Sequence, residues 1–224
     1  WHRFSGDRKG RHPKDHLAGF RGWMHADGSA GLNDLYRSGA IREVACMAHV
    51  RRKFVDVHRS QASPIAEEAI QRIARLYAVE KQARGSPPER RVDLRQAEAA
   101  PAFDELEAWL AGQLARISKS PRASAIRYAL ARMPRMRPYL ANGILELDNN
   151  AAERGMRAIA LGRKNDLFAG SEAGGTATAI AYTLIETAKL SRVDPQAWLT
   201  DTLACIPDYR ITKLDELLPW RGGR

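Results

Sequence analysis

Two carboxylates stand where metal-assisted chemistry could use them. Asp27 closes Arg21-Gly-Trp-Met-His-Ala, which reads as a short buried strand. Glu153 lies within Leu147-Asp-Asn-Asn-Ala-Ala-Glu-Arg-Gly-Met-Arg-Ala-Ile159, where Asp148, Asn149 and Asn150 are helix N-cap residues followed by helix formers. A strand-end Asp and a helix-start Glu can converge on Mg2+ or Mn2+ ions about 3.5–4 Å apart, the arrangement of two-metal phosphoryl transfer. Spacing alone is a weak signal, because any α/β protein contains such pairs. The second stretch also reads as an ordinary capped helix. Ala152, Met156, Ile159 and Ala160 predict one buried face, and Glu153 with Arg157 a surface ion pair.

Cys46-x-x-His49 offers two ligands to a soft metal, whereas a structural zinc site wants four. Cys205 is distant, and His2, His12, His16, His25 and His58 supply no second pair at ligand spacing. A buried thiol beside a hydrogen-bonded imidazole is the plainer reading. Arg51-Arg52-Lys53-Phe54 opens a helical pattern and suits either a solvated face or the backbone of DNA. The chain has no nucleophilic Ser or Cys motif and no Walker-type loop; the Gly-rich run 162–175 is weak evidence for phosphate binding.

The 224 residues, 44% hydrophobic, suffice for one sizeable core or a core with a helical insert. Two cysteines argue against a disulfide framework, and no apolar run approaches the roughly 18 residues of a membrane span. A soluble, cytoplasmic protein is expected. The net charge of +10 points to a polyanionic partner. Residues 1–60 hold 12 Lys+Arg against 6 Asp+Glu, and residues 119–164 hold 10 against 3. The remaining segments are slightly acidic, so the positive charge lies in two separated blocks.

The elements that must position these groups follow from pattern. Trp1–Phe4 alternates like a strand end, and Ser5–Lys14 reads as a polar connection. The strand ending at Asp27, a helix at Leu32–Arg37, a strand at Ile41–Ala48 and a helix from His49 to about Arg59 suggest a βαβ unit and an α/β fold. Stripes at Ile65–Tyr77, Phe103–Ile117 and Ala123–Met133 predict an all-helical insert, closed by a connector at Pro134–Pro138. Leu161–Gly175 reads as a loop and Thr176–Leu190 as a buried helix. Asp194-Pro195 caps another helix, and Leu214–Trp220 reads as a short docking helix.

Four segments together are specific. His25-Ala-Asp-Gly-Ser-Ala-Gly-Leu, Glu43-Val-Ala-Cys-Met-Ala-His-Val-Arg-Arg-Lys-Phe, Leu147-Asp-Asn-Asn-Ala-Ala-Glu-Arg and Phe168-Ala-Gly-Ser-Glu-Ala-Gly-Gly resemble the insertion-sequence-66 family of bacterial transposases. Asp194-Pro-Gln-Ala-Trp-Leu and Asp215-Glu-Leu-Leu-Pro-Trp resemble that family's C-terminal segment. The resemblance implies an RNase H-like core with an Asp-Asp-Glu metal triad, a helical insert between the second Asp and the Glu, and DNA cut-and-join chemistry with Mg2+ or Mn2+. Asp27 matches the second Asp and Glu153 the Glu. Cys46 and His49 match a Cys-x-x-His element near the active site of related families, and Asn149 and Asn150 are candidate supporting residues.

The implied organisation is 1–62 as the first part of the core, with its N-terminal strands incomplete, and 63–140 as the insert. Residues 141–192 complete the core, and 193–224 form a helical C-terminal segment. Arg51, Arg52, Lys53, Arg154, Arg157, Arg163 and Lys164 are the expected DNA-facing groups. Expected partners are transposon ends and target DNA, other products of the same element, and further copies on DNA, with no membrane. The first catalytic Asp of the family falls upstream of Trp1, and Asp7 and Asp15 belong to a different segment. Ser29 stands where the family has an aromatic residue. The expectation is therefore a C-terminal portion, inactive alone. The alternative is a catalytically dead DNA-binding remnant of a mobile element.

Overall fold

The computed structural model describes residues 2–7, 9–26, 28, 30–117, 120–165 and 170–221. Two compact units emerge, one continuous (Gly10–Ala151) and one built from Trp1–Lys9 with Ala152–Arg224. Helix dominates, and the described residues form one sheet, a parallel pair of β1 (Gly22–Ala26) and β2 (Ile41–Ala45). Among the described residues no helix is long and apolar enough to cross a membrane.

In the continuous unit, α1 (Arg11–His16) occupies part of the stretch expected to be a connection. Between the strands lie a 3-10 turn (Ala30–Leu32) and the single-turn α2 (Asn33–Tyr36), near the expected helix. β2 then leads into α3 (Met47–Gln61). Val50, Phe54 and Val57 recur at i, i+4 and i+7 along α3 and are buried. They face α4 (Pro64–Ala83) and α7 (Pro121–Leu130), and α6 (Ala100–Ala115) closes the ring by packing on both. The predicted insert thus makes a four-helix bundle with the helix that follows β2. Ser63, with its hydroxyl accepting from the Ala66 amide, starts α4, and Ser120 caps α7 in the same way. The core face of α4 is Ala66, Ala69, Ile73, Leu76 and Val79, so the expected stripe is rotated and Ile65, Ile70 and Tyr77 sit at its edge.

Between α4 and α6 lie α5 (Pro88–Leu94) and a π-helical turn (Arg95–Ala99). Pro101 has no N–H to bond the carbonyl four residues back, and the Ala100 amide bonds Arg95 O instead. The turn carries Arg95, whose side chain is fully buried. Its Nε and Nη2 donate to the two carboxylate oxygens of Glu80, each at 2.7 Å. Its Nη1 donates to Tyr139 O (3.0 Å) and Asn142 O (3.1 Å). The expected connector at 134–138 is in fact two single turns, α8 (Met133–Met136) and α9 (Pro138–Ala141). Beyond α9 the chain returns so close to α5 that a Cβ at Gly143 would run into the backbone of Pro88.

In the other unit, α10 (Asn150–Asn165) contributes from Ala152 onward, followed by α11 (Glu172–Leu190) and α12 (Pro195–Cys205). Several expectations fail here. Residues 2–5 form no strand; the His2 amide donates instead to Thr183 Oγ1 of α11 (2.9 Å). The loop expected from Leu161 is helical through Asn165 and helical again from Glu172, with Gly174 and Gly175 inside the first turn of α11. Gly175 is needed there, since a Cβ would strike the Phe4 ring. α11 is not buried: only Gly175 and Ala188 are, and Ile180 is 56% exposed. Asp194 caps α12 as expected, accepting from the Gln196 and Ala197 amides. The tail forms a 3-10 segment (Ile211–Leu217), pinned where Trp198 Nε1 donates to Leu217 O (2.8 Å).

Removing one member of a buried, hydrogen-bonded ion pair strands the other. Glu80→Gln should therefore cost about 3–5 kcal/mol, read as a lowered urea midpoint. The Tyr139 hydroxyl is buried with no hydrogen-bond partner among the described residues. Tyr139→Phe should leave that midpoint unchanged or raise it by up to about 1 kcal/mol of stability.

Candidate functional site

The two strands end together. Their register pairs Gly22 with Ile41 and Ala26 with Ala45, so the residues following the strands, Asp27 and Cys46, succeed adjacent strand ends. The C-terminal ends of parallel strands are where α/β sheets place ligands. Asp27 and Ser29 themselves lie outside the described residues.

The segment leading to α10 is fastened across these ends by three backbone donors. The Met47 amide donates to Leu147 O (3.1 Å), the Asn149 amide to Cys46 Sγ (3.4 Å), and the Glu146 amide to His25 Nε2 (3.4 Å). The Cys46 side chain is therefore a buried joint. Burial raises the pKa of its thiol, with the amides of Asn149, His49 and Ala48 opposing. Burial likewise lowers that of His25, against the carboxylates of Glu146 and Asp148.

Asp148 gathers the next layer. Its carboxylate accepts from the Asn150 amide (3.0 Å) and from Asn150 Nδ2 (2.7 Å). Burial, followed by the nearby Asp148 carboxylate, pushes the Tyr77 pKa up. Asn149 Oδ1 is buried with no donor among the described residues. Glu153 is half-buried in the first turn of α10, where the helix dipole favours a carboxylate. The helix face expected to be buried is not: Met156 is 53% exposed, and Ala152 and Ala160 are exposed too.

The basic groups divide. Arg51 and Arg52 are exposed on one side of α3, beside Tyr77 and Asn150. Lys53 turns elsewhere, its ammonium 5.5 Å from the Tyr128 ring centre on α7. Arg154 and Arg157 are exposed on α10, while the side chains of Arg163 and Lys164 lie outside the described residues. No group of three or more His, Cys, Asp or Glu is poised to hold a metal among the described residues.

The family model described as "Transposase IS66 family" matches residues 1–177, and "IS66 C-terminal element" matches residues 183–220. The chain belongs to the IS66 transposase family. It is similar to uncharacterized proteins of Sinorhizobium fredii (strain NBRC 101917 / NGR234). It is 39% identical to y4hP over 98% of this chain and 43% of that protein. It is also 39% identical to y4jD, over 97% of this chain and 44% of that protein. A third, y4qI, is 37% identical over 92% of this chain and 40% of its own length. The chain thus spans about two fifths of the length of these curated relatives. No solved structure matches.

Within this IS66 transposase chain, Asp148 and Tyr77 are the residues that sequence reasoning undervalued. Asp148 reads as one more N-cap candidate, and Tyr77 as part of an apolar stripe. Nothing in spacing links α4 to residue 148. Arg59 lies seven and eight residues beyond Arg52 and Arg51, on the same face of α3.

The two thiols should behave differently. Cys46 is buried and Cys205 exposed. A chromogenic disulfide reagent at neutral pH should therefore react with about one thiol in the native chain and with both in denaturant.

Proposed function

We propose that this chain supplies the second Asp and the Glu of an Asp-Asp-Glu transposase, and that β1 and β2 belong to an RNase H-like core. Support comes from the family membership, with Asp27 next to the end of β1 and Glu153 in the first turn of α10. In this reading residues 1–62 and 141–192 form the core, 63–140 the insert and 193–224 a C-terminal segment. The protein would act in the cytoplasm on transposon ends and target DNA, as several copies and with other products of its element.

The donor chemistry fits a divalent metal. Asp27 and Glu153 are hard oxygen donors of the kind Mg2+ or Mn2+ takes, and Asn149 Oδ1 is a buried oxygen without a donor nearby. Bound there, the metal would activate the attacking and leaving oxygens of an in-line displacement at phosphorus. The chain's own contribution is positional. Cys46 and the Leu147 carbonyl hold the approach to α10 against the start of α3, while Asp148 holds Asn150. Cys46 and His49 are structural supports in this scheme rather than zinc ligands. Arg51, Arg52, Arg154, Arg157, Arg163 and Lys164 would meet the DNA backbone.

Two of the three carboxylates are assigned within this sequence, so the 224-residue polypeptide alone is expected not to cut transposon-end DNA in Mg2+ or Mn2+. Within a longer protein carrying this sequence, Asp27→Asn and Glu153→Gln should each lower strand cleavage by about three orders of magnitude or more, with DNA binding retained. Cleavage by the polypeptide alone that Asp27→Asn abolishes would overturn the inactivity. Cleavage by the longer protein that survives either substitution would overturn the carboxylate assignment.

A further inference from the structure

We propose that the open trough between α3 and α4 is a track for the phosphate backbone of DNA, completed by Arg59 and not by Lys53. The inference rests on the transposase reading for the identity of the polyanion; the trough itself follows from the geometry.

Six residues of α3 line it, Ala48, Arg51, Arg52, Val55, Asp56 and Arg59. Their spacing alternates between three and one, which is a single helix face running about 16 Å at 1.5 Å per residue. One strand of duplex DNA carries a phosphate about every 3.4 Å of axis, so the face spans several. The opposite wall is Ala74 and Tyr77 of α4, and Asn150 stands at the start of α10. Ala48 and Ala74 leave the space open, giving a volume of about 730 Å3.

Charge decides what fits. Three guanidinium groups face one carboxylate, Asp56. Several arginines elsewhere in this unit are engaged, Arg72 with Glu68, Arg75 with Glu105 and Arg95 with Glu80. Arg51 and Arg59 are exposed and make no ion pair among the described residues. Guanidinium forks bind phosphate oxygens in bidentate fashion, which suits a backbone track better than scattered ammonium groups. An enclosed small-molecule site would instead bury its ligand against mostly apolar walls. Lys53 adjoins Arg52 in sequence, yet its ammonium lies over Tyr128 on a different side of α3. The basic triplet is therefore split, and a residue two turns away takes the third place.

The test is fluorescence anisotropy with the 224-residue chain and a duplex of about 25 base pairs, in EDTA, from about 50 to 200 mM salt. Arg51→Gln and Arg59→Gln should each weaken binding several-fold and reduce the slope of log K against log salt by about 0.9. Lys53→Gln should leave the slope unchanged, and Asp56→Asn should strengthen binding. These side chains are exposed, so unchanged urea midpoints will separate binding from folding. Wild-type binding of Arg59→Gln, an equal loss in Lys53→Gln, or no duplex binding by the wild-type chain would each overturn the track. EDTA removes cleavage from the readout. Failure here leaves the carboxylate assignment intact, and failure of the cleavage test leaves the track intact.

Discussion

A fully buried guanidinium is tolerable only when its donors are met, and Arg95 meets that condition with groups from two other stretches of chain. Glu80 on α4 neutralises it, the π-helical turn presents it, and the carbonyls of Tyr139 and Asn142 accept from it. A neighbouring bond from Gln96 Nε2 to Leu140 O repeats the link. Apolar burial would hold α4 against α6 without it. What the pair adds is direction: it fixes where the chain must pass after α9. Hydrophobic contact alone tolerates sliding, whereas a bidentate pair with two further acceptors does not.

That direction is transmitted to the strand ends. A few residues beyond Asn142, Glu146 pairs with Arg91 at 2.8 Å and its amide meets His25. Leu147 and Asn149 then bind the start of α3, and the Asp148 carboxylate accepts from the Asn150 amide and Nδ2. The segment 146–150 that leads into α10 thus follows from an anchorage begun in the middle of the helical bundle. The helices between the strands and this segment are part of what fastens it.

Much of this was legible in the sequence where local chemistry dominates. The two strands, the second of which gives way to α3 at Met47 rather than running on to Ala48, the proline-led helices, the Asp194 cap and the family resemblance all rest on short-range signals. Other features depend on contacts between distant residues. The π turn precedes Pro101, which looks like any proline at a helix start until the Ala100 amide is seen to bond Arg95 O. His2–Ser5 has the alternation of a strand but bonds to a helix 181 residues away. The apolar residues of α10 and α11 predicted burial that the described structure does not provide, because periodicity reveals a face without revealing what covers it. The proposed carboxylate pair rests on two residues and a resemblance. The proximity of Tyr77 to Asp148 was not legible, since a lone phenol and a lone cap residue have no shared spacing.

The division into units also sets an order of assembly during synthesis. Gly10–Ala151 is one uninterrupted stretch, and its four-helix ring is complete once α7 and the return past Gly143 have left the ribosome. The other unit joins residues 1–9 to the chain beyond 152, and its His2–Thr183 and Phe4–Gly175 contacts must wait for α11. Residues 1–9 therefore emerge before the larger unit and meet α11 only after it. Folding of the discontinuous unit closes a loop of about 180 residues, so it is the later and slower step.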